Sequence, residues 1–128
     1  QAFIADFIES GKYSDFLDYL CALYKPRMDA LNGSLHAHFP GASPVDISGG
    51  FFASISLQKI TPDKEESFIQ SAQEAGVGIA AAWDAVAPNL REKKRKNGLF
   101  TRLTFPAYQP EDIKWGIAKL KELEEISP

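Results

Sequence analysis

Apolar and polar residues repeat with two different periods along this chain, and the switches between periods outline its elements. From Leu17 onward, Leu17, Leu20, Cys21, Tyr24, Met28, Leu31 and Leu35 recur at helical spacing and predict one apolar stripe. Ser14 is placed to cap that helix. Pro26 lies inside it and removes a backbone hydrogen bond, so a kink or division is expected near Ala22 to Lys25. Asn32-Gly33 offers an early end, although the stripe continues to Leu35. Upstream, Ala2 to Glu9 reads as the end of a helix closed by Ser10-Gly11.

Period two takes over at Phe51. Phe51, Ala53, Ile55 and Leu57 share one face, and Phe52, Ser54 and Ser56 the other, which predicts a strand with one face in the core. Gly98 to Phe105 alternates in the same way: Leu99, Leu103 and Phe105 face one side, and Phe100, Arg102 and Thr104 the other. Between the strands, Thr61-Pro62-Asp63 has the hydroxyl, proline and acid of a helix start. That helix turns Phe68, Ile69 and Ala72 inward and stops at Gly76. Val77-Gly78-Ile79 reads as a brief strand, and Ala80 to Leu90 is alanine-rich around Trp83 with Pro88 breaking it. Pro110-Glu111-Asp112 opens a last helix carrying Ile113, Ile117, Leu120, Leu123 and Ile126 on one face. Its other face is lysine and glutamate, so it packs on a sheet on one side and meets water on the other.

Composition narrows the class without naming a chemistry. With 128 residues, 45% hydrophobic, 24% charged and a net charge of −3, the chain is long enough for one domain with a real core. The balance gives no general attraction to nucleic acid or to an anionic membrane. No apolar run approaches membrane-spanning length, and the single cysteine, Cys21, excludes an internal disulfide framework and suits a reducing compartment. A cytoplasmic location is therefore expected, with Cys21 packed in the core. The chain opens on Gln1, already helical in character, which suggests a piece of something longer.

Residues 36 to 50 read as connective, and His36 and His38 within them lack further ligands for a metal, so no metal site is expected. Arg91 to Asn97 holds five basic residues and no aromatic, which reads as a solvated loop rather than a nucleic-acid patch. Arg102 is different. A guanidinium in the middle of an apolar strand snorkels to solvent, pairs with a neighbouring carboxylate, or meets an anionic ligand.

Three segments, in order, resemble the C-terminal small domain of fold-type I, pyridoxal-phosphate-dependent aminotransferases of class I/II. The nearest groups are the 2-aminoadipate-type enzymes and the aminotransferase-like regulators. Tyr24-Lys25-Pro26-Arg27-Met28-Asp29-Ala30-Leu31 resembles the family's Tyr-x-x-Arg-x-x-x-Leu helix, which leads from the large domain into the small one. Gly49-Gly50-Phe51-Phe52 is similar to its Gly-Gly-aromatic strand. Arg102-Leu103-Thr104-Phe105, followed by Tyr108, Pro110-Glu111-Asp112-Ile113, Gly116-Ile117 and Leu120, resembles its Arg-Leu-x-Phe strand and closing helix.

The resemblance implies an α+β fold, a small antiparallel or mixed sheet with helices mainly on one face. Residues 1–128 would form a single domain, with leading helices at 1–35 and the sheet and its covering helices at 49–128; the large cofactor-binding domain is absent. It implies that Arg102 grips the α-carboxylate of an amino acid or 2-oxo acid and that Gly50 lies at the substrate. It places no catalytic or cofactor-binding residue in this chain, and leaves pyridoxal phosphate to the full-length protein, a homodimer. The isolated chain would be inactive. Where the family has a Pro-Gly turn, this sequence has Gly78-Ile79-Ala80-Ala81-Ala82-Trp83, and residues 13 to 20 lack the family's basic positions. Two other readings stay open: an amino-acid-sensing domain of a transcriptional regulator, and a non-catalytic α+β interaction module using the basic run 91–97.

Overall fold

The computed structural model describes residues 1–42 and 46–126; Ser43 and Pro44 of the connective stretch lie outside the described residues. Five helices and two strands follow in the order α1 (Ala2–Glu9), α2 (Lys12–His38), β1 (Phe52–Leu57), α3 (Glu65–Glu74), α4 (Pro88–Arg95), β2 (Leu99–Thr104) and α5 (Pro110–Ile126). A single 3₁₀ turn, Trp83–Ala85, precedes α4. The strands pair antiparallel, with Phe52 opposite Thr104, Ser54 opposite Arg102, Ser56 opposite Phe100 and Leu57 opposite Leu99.

The alternation read in both strands is the one the fold uses, except that Phe51, read on the core face, precedes β1 and is exposed. Ala53, Ile55 and Leu57 of β1 join Leu99 of β2 and the following Phe105 in the core. Leu31 and Leu35 of α2, Phe68 and Ala72 of α3, and Ile113, Ile117 and Leu120 of α5 close over that face. Thr101 is completely buried there, and its hydroxyl donates to the Ala80 carbonyl at 2.7 Å, which keeps the core free of an orphan donor. The opposite face has a smaller apolar cluster at one end only, where Phe100 meets Trp83 and Val86. The architecture is α+β, a two-stranded antiparallel sheet with helices mainly on one side.

α2 runs unbroken through Pro26 and past Asn32-Gly33 to His38, three residues beyond the expected limit of the leading helices. Proline removes one bond of a ladder that 27 residues maintain, and the Arg27 guanidinium donates to the Leu23 carbonyl one turn back. Asn32 does not end the helix. Its side chain clamps Ile47, accepting from the backbone N–H at 3.0 Å and donating to the carbonyl at 2.9 Å. Ser14 is not the cap either, since the helix begins at Lys12 after Gly11, which takes a φ of 77°. The second half of the stripe is buried, but the first half projects past the sheet. Cys21, expected in the core, is therefore exposed, as are Phe16 and Leu17.

Other boundaries move for local reasons. Thr61-Pro62-Asp63 forms a turn, with the Lys64 N–H donating to the Thr61 carbonyl at 3.0 Å, so α3 starts at Glu65. It ends as expected: Gly76 takes a φ of 87°, and the Val77 and Gly76 N–H groups return to the carbonyls of Ala72 and Gln73. Val77-Gly78-Ile79, read as a brief strand, forms no strand; the segment that follows makes an isolated bridge, Ala81 with Thr101. Pro88 starts a helix instead of breaking one, since its missing N–H costs nothing in the first turn. The basic run expected in a loop consequently lies mostly on α4. His36 and His38 are in the last turn of α2, with His36 hydrogen-bonded to Asp46. On α5, Ile126 is 74% exposed while Glu124 is buried, its carboxylate accepting from Lys121 at 3.0 Å.

Candidate functional site

Arg102 stands on the open face of the sheet. Two-residue alternation puts it beside Phe100 and Thr104 on β2, facing Ser54 and diagonally adjacent to Phe52 on β1. Its guanidinium carbon lies 4.2 Å from the centroid of the Phe52 ring, a cation–π stack on an aromatic that is half exposed. Among the described residues no carboxylate comes within 4.0 Å of it, whereas Lys25, Arg91, Lys114, Lys119 and Lys121 all have acidic partners. Of the three fates open to a strand arginine, the ion pair is removed. The stack holds the planar fork by one face and leaves its edge of N–H donors in solvent, the arrangement that suits a bidentate carboxylate.

The surroundings are set by the segment that departs from the family pattern. The Ala82 N–H donates to the Phe100 carbonyl at 2.9 Å, and Trp83 lies against Phe100 with ring centroids 6.0 Å apart. The Trp83 indole N–H donates to Glu65 at 2.8 Å, which ties this segment to α3. From that anchor the chain passes through the 3₁₀ turn into α4, whose Lys94 ammonium reaches 4.4 Å from the Phe100 centroid. Arg95 caps Trp83 at 5.1 Å. The aromatics that the basic run lacks in sequence are thus supplied by the strand and the 3₁₀ turn beneath it.

One hollow is lined by Arg102, and another lies further along the open sheet face. A groove of about 760 Å³ runs over the open face, lined by Ser54, Ser56, Gln58, Lys94, Lys96 and Phe100. Arg102 is not part of its lining, although its cross-strand partner Ser54 is. Arg102 borders a hollow of about 320 Å³ shared with Tyr108, Asp112 and Trp115. The Asp112 carboxylate makes that second space unfavourable for an anion, so the open face is the better carboxylate site.

Gly50 lies elsewhere. It turns the chain into β1 with a φ of 77° and lines an apolar groove of about 480 Å³ against Tyr24, Met28 and Phe51. Gly50 and Arg102 line two different hollows. The Tyr-x-x-Arg segment is also structural here. Arg27 donates to Leu23 and reaches Gln109 at 3.5 Å, although its Nε is buried without a partner.

Cofactor and metal chemistry find little purchase. The described residues contain no cluster of three metal ligands. A lysine that binds pyridoxal phosphate covalently needs desolvation to lower its pKa, and every lysine here is exposed or half-buried. Lys121 shifts the wrong way, raised above 10.5 chiefly by its hydrogen bond to Glu124. The residues present do not fit a covalent cofactor site. Among the described residues no helix is long and apolar enough to cross a membrane.

No family model matches the sequence, and no curated protein matches it. Solved structures do. One match is an archaeal alanine:glyoxylate aminotransferase, 20% identical, with a TM-score of 0.66 over 96% of this chain and 29% of that one. The chain thus spans under a third of the structure it matches and has an aminotransferase small-domain-like fold.

Proposed function

We propose that this chain is the small domain of a pyridoxal-phosphate-dependent aminotransferase, and that Arg102 binds the α-carboxylate of the amino-acid or 2-oxo-acid substrate. The observation that carries this reading is the Arg102 guanidinium, stacked at 4.2 Å on Phe52 and unpaired with any acid among the described residues. A buried structural arginine would have a partner, because leaving one charge unpaired in the interior costs several kcal/mol, about 3–5. An exposed one held on an aromatic is prepared for a ligand.

In this reading the cofactor is held by the rest of the polypeptide, a homodimer, and supplies the electron sink for amino-group transfer. The contribution of this chain is positioning. Two parallel N–H···O bonds fix both the place and the plane of the carboxylate, which orients the substrate's Cα bonds. Phe52 limits the guanidinium to one orientation and reduces the side-chain entropy lost on binding. Supporting the reading are the fold, the match to an aminotransferase, and the order of the three family-like segments. An amino-acid-sensing regulator would use the same contact without turnover.

Kinetics of the polypeptide carrying this chain and a cofactor-binding domain test the proposal. Arg102→Gln is expected to raise KM for both amino acid and 2-oxo acid by about 100-fold, the loss of a bidentate charged contact. Cofactor absorbance should remain that of the wild type. Wild-type KM values in the variant would refute the role of Arg102, and amino-acid binding without turnover in the wild type would select the regulator.

A further inference from the structure

The groove of about 760 Å³ on the open sheet face is lined by two ammonium groups, uncharged polar side chains and no acid. We infer that it binds a phosphorylated polyol, such as a sugar phosphate, with the phosphate on Lys94 and Lys96 and the hydroxyls on Ser54, Ser56 and Gln58. Arg102 is outside the lining, so this ligand binds whether or not Arg102 holds a carboxylate.

The cationic end is built by the way α4 returns to the sheet. Lys94 is held over Phe100, its ammonium 4.4 Å from the ring centroid. The helix then closes in a turn, with the Asn97 N–H donating to the Lys94 carbonyl at 2.9 Å and the Gly98 N–H to the Arg95 carbonyl at 3.2 Å. Gly98 lies so close to Leu57 and Gln58 that a Cβ there would meet their backbone. That contact sets Lys96 and Asn97 beside Gln58 at the end of β1. Among the described residues neither Lys94 nor Lys96 has a carboxylate within 4.0 Å, and Glu92, the one acid of residues 91–97, does not line the groove. Two unpaired ammonium groups match a phosphomonoester, which carries about −1.5 to −2 at neutral pH.

The polar end follows the strand period. Ser54 and Ser56 are successive positions of β1 on the open face, about 7 Å apart, and Gln58 is the next position of the same alternation, just past the strand. Ser56 is opposite Phe100 in the register, so this row starts beside the ring that seats Lys94. Hydroxyls and a carboxamide both donate and accept, which suits the hydroxyls of a polyol. The Ser56 N–H donates to the Ala42 carbonyl at 3.0 Å, which brings Gly41-Ala42 to the groove as a further wall. A nucleic-acid strand fits less well. Its bases need open aromatic faces, and Phe100 and Trp83 are buried beneath Lys94 and Arg95.

Amide NMR titrations of the 128-residue chain with glucose 6-phosphate, glucose, inorganic phosphate and a short thymidine oligonucleotide test this. Glucose 6-phosphate is expected to shift the amides of Ser54, Ser56, Lys94, Lys96 and Asn97 saturably. It should bind about tenfold tighter than inorganic phosphate, with glucose weaker than either. Lys94→Gln and Lys96→Gln should each weaken both phosphates by about tenfold, one charged contact apiece, whereas Ser56→Ala should weaken only the sugar phosphate. Arg102→Gln should keep the wild-type affinity. Wild-type affinity in the double-lysine variant overturns the phosphate end, and equal affinities for inorganic phosphate and glucose 6-phosphate overturn the polyol end. Tighter binding of the oligonucleotide on the same amides would mark a polyanion surface, and loss of binding in Arg102→Gln would make the groove part of the Arg102 site. Either result overturns the proposed ligand.

Discussion

Replacing Gly98 with alanine should destabilise this fold more than any other single methyl addition at a glycine. Gly98 joins α4 to β2 with a φ of 99°, and a Cβ built there comes 2.1 Å from the Leu57 carbonyl oxygen and 2.7 Å from the Gln58 Cα. Both are backbone atoms of the partner strand's end, so no side chain can swing aside. A left-handed φ costs alanine about 1–2 kcal/mol. Forcing a carbon into packed backbone adds about 1–3 kcal/mol, since Leu57 and Leu99, paired at that end and almost fully buried, must separate. Reduced freedom of the unfolded chain returns only about 0.5 kcal/mol. The expected loss is roughly 3 kcal/mol, a Tm drop of about 10 °C for a chain of this size. Gly50→Ala is the control. Its φ is 77°, but a Cβ there meets nothing within 4 Å, so only the strain remains, about 1 kcal/mol. Urea unfolding followed by circular dichroism and by the buried Trp83 separates the two. Equal losses in both variants, or a Gly98→Ala midpoint like the wild type, would refute the backbone clash.

Three further outcomes are expected. The Cys21 thiol should react with an aromatic disulfide reagent in the native chain as fast as in the urea-unfolded chain, because it is exposed on α2; strong native protection would contradict that placement. Trp83→Phe should cost about 1–2 kcal/mol by urea unfolding, since it removes the indole donor to Glu65 at 2.8 Å and part of the small cluster; a change near zero would mean the indole bond does not hold the segment. The Lys121 pKa is raised in the folded state, so its contribution is complete below the ordinary lysine value of 10.5 and is lost as pH rises through the higher folded value. Relative to Lys121→Met, the wild type should lose its advantage in that alkaline window; an advantage that persists above it would show a non-ionic origin.

The elements legible in sequence were those whose period is enforced by burial on one face. β1 and β2 alternate because one side lies under α2, α3 and α5. The stop at Gly76 was legible because its turn needs a left-handed residue. What misled was pattern without a partner. The stripe of α2 reads as continuous, but only its second half meets the sheet, so Cys21 and Leu17 carry the pattern into solvent. Pro88 and the basic run carry no apolar period, since α4 buries no residue, and a proline reads equally as stop and as first turn. Arg102 was legible as an anomaly, but its stack on Phe52 depends on diagonal register, and Lys94 over Phe100 depends on where α4 docks. Neither follows from sequence spacing. Gly50 was placed by resemblance alone, and the fold sets it in a different groove from Arg102.

The central claim is that the open guanidinium of Arg102 receives a carboxylate. The most direct measurement is the Nε–Hε resonance of Arg102 itself, assigned through the Arg102→Lys variant and followed as propionate is added at mildly acidic pH. The account predicts a saturable downfield shift of that resonance, accompanied by the Phe52 ring protons. An Arg102 resonance that stays in place while signals elsewhere move would contradict it.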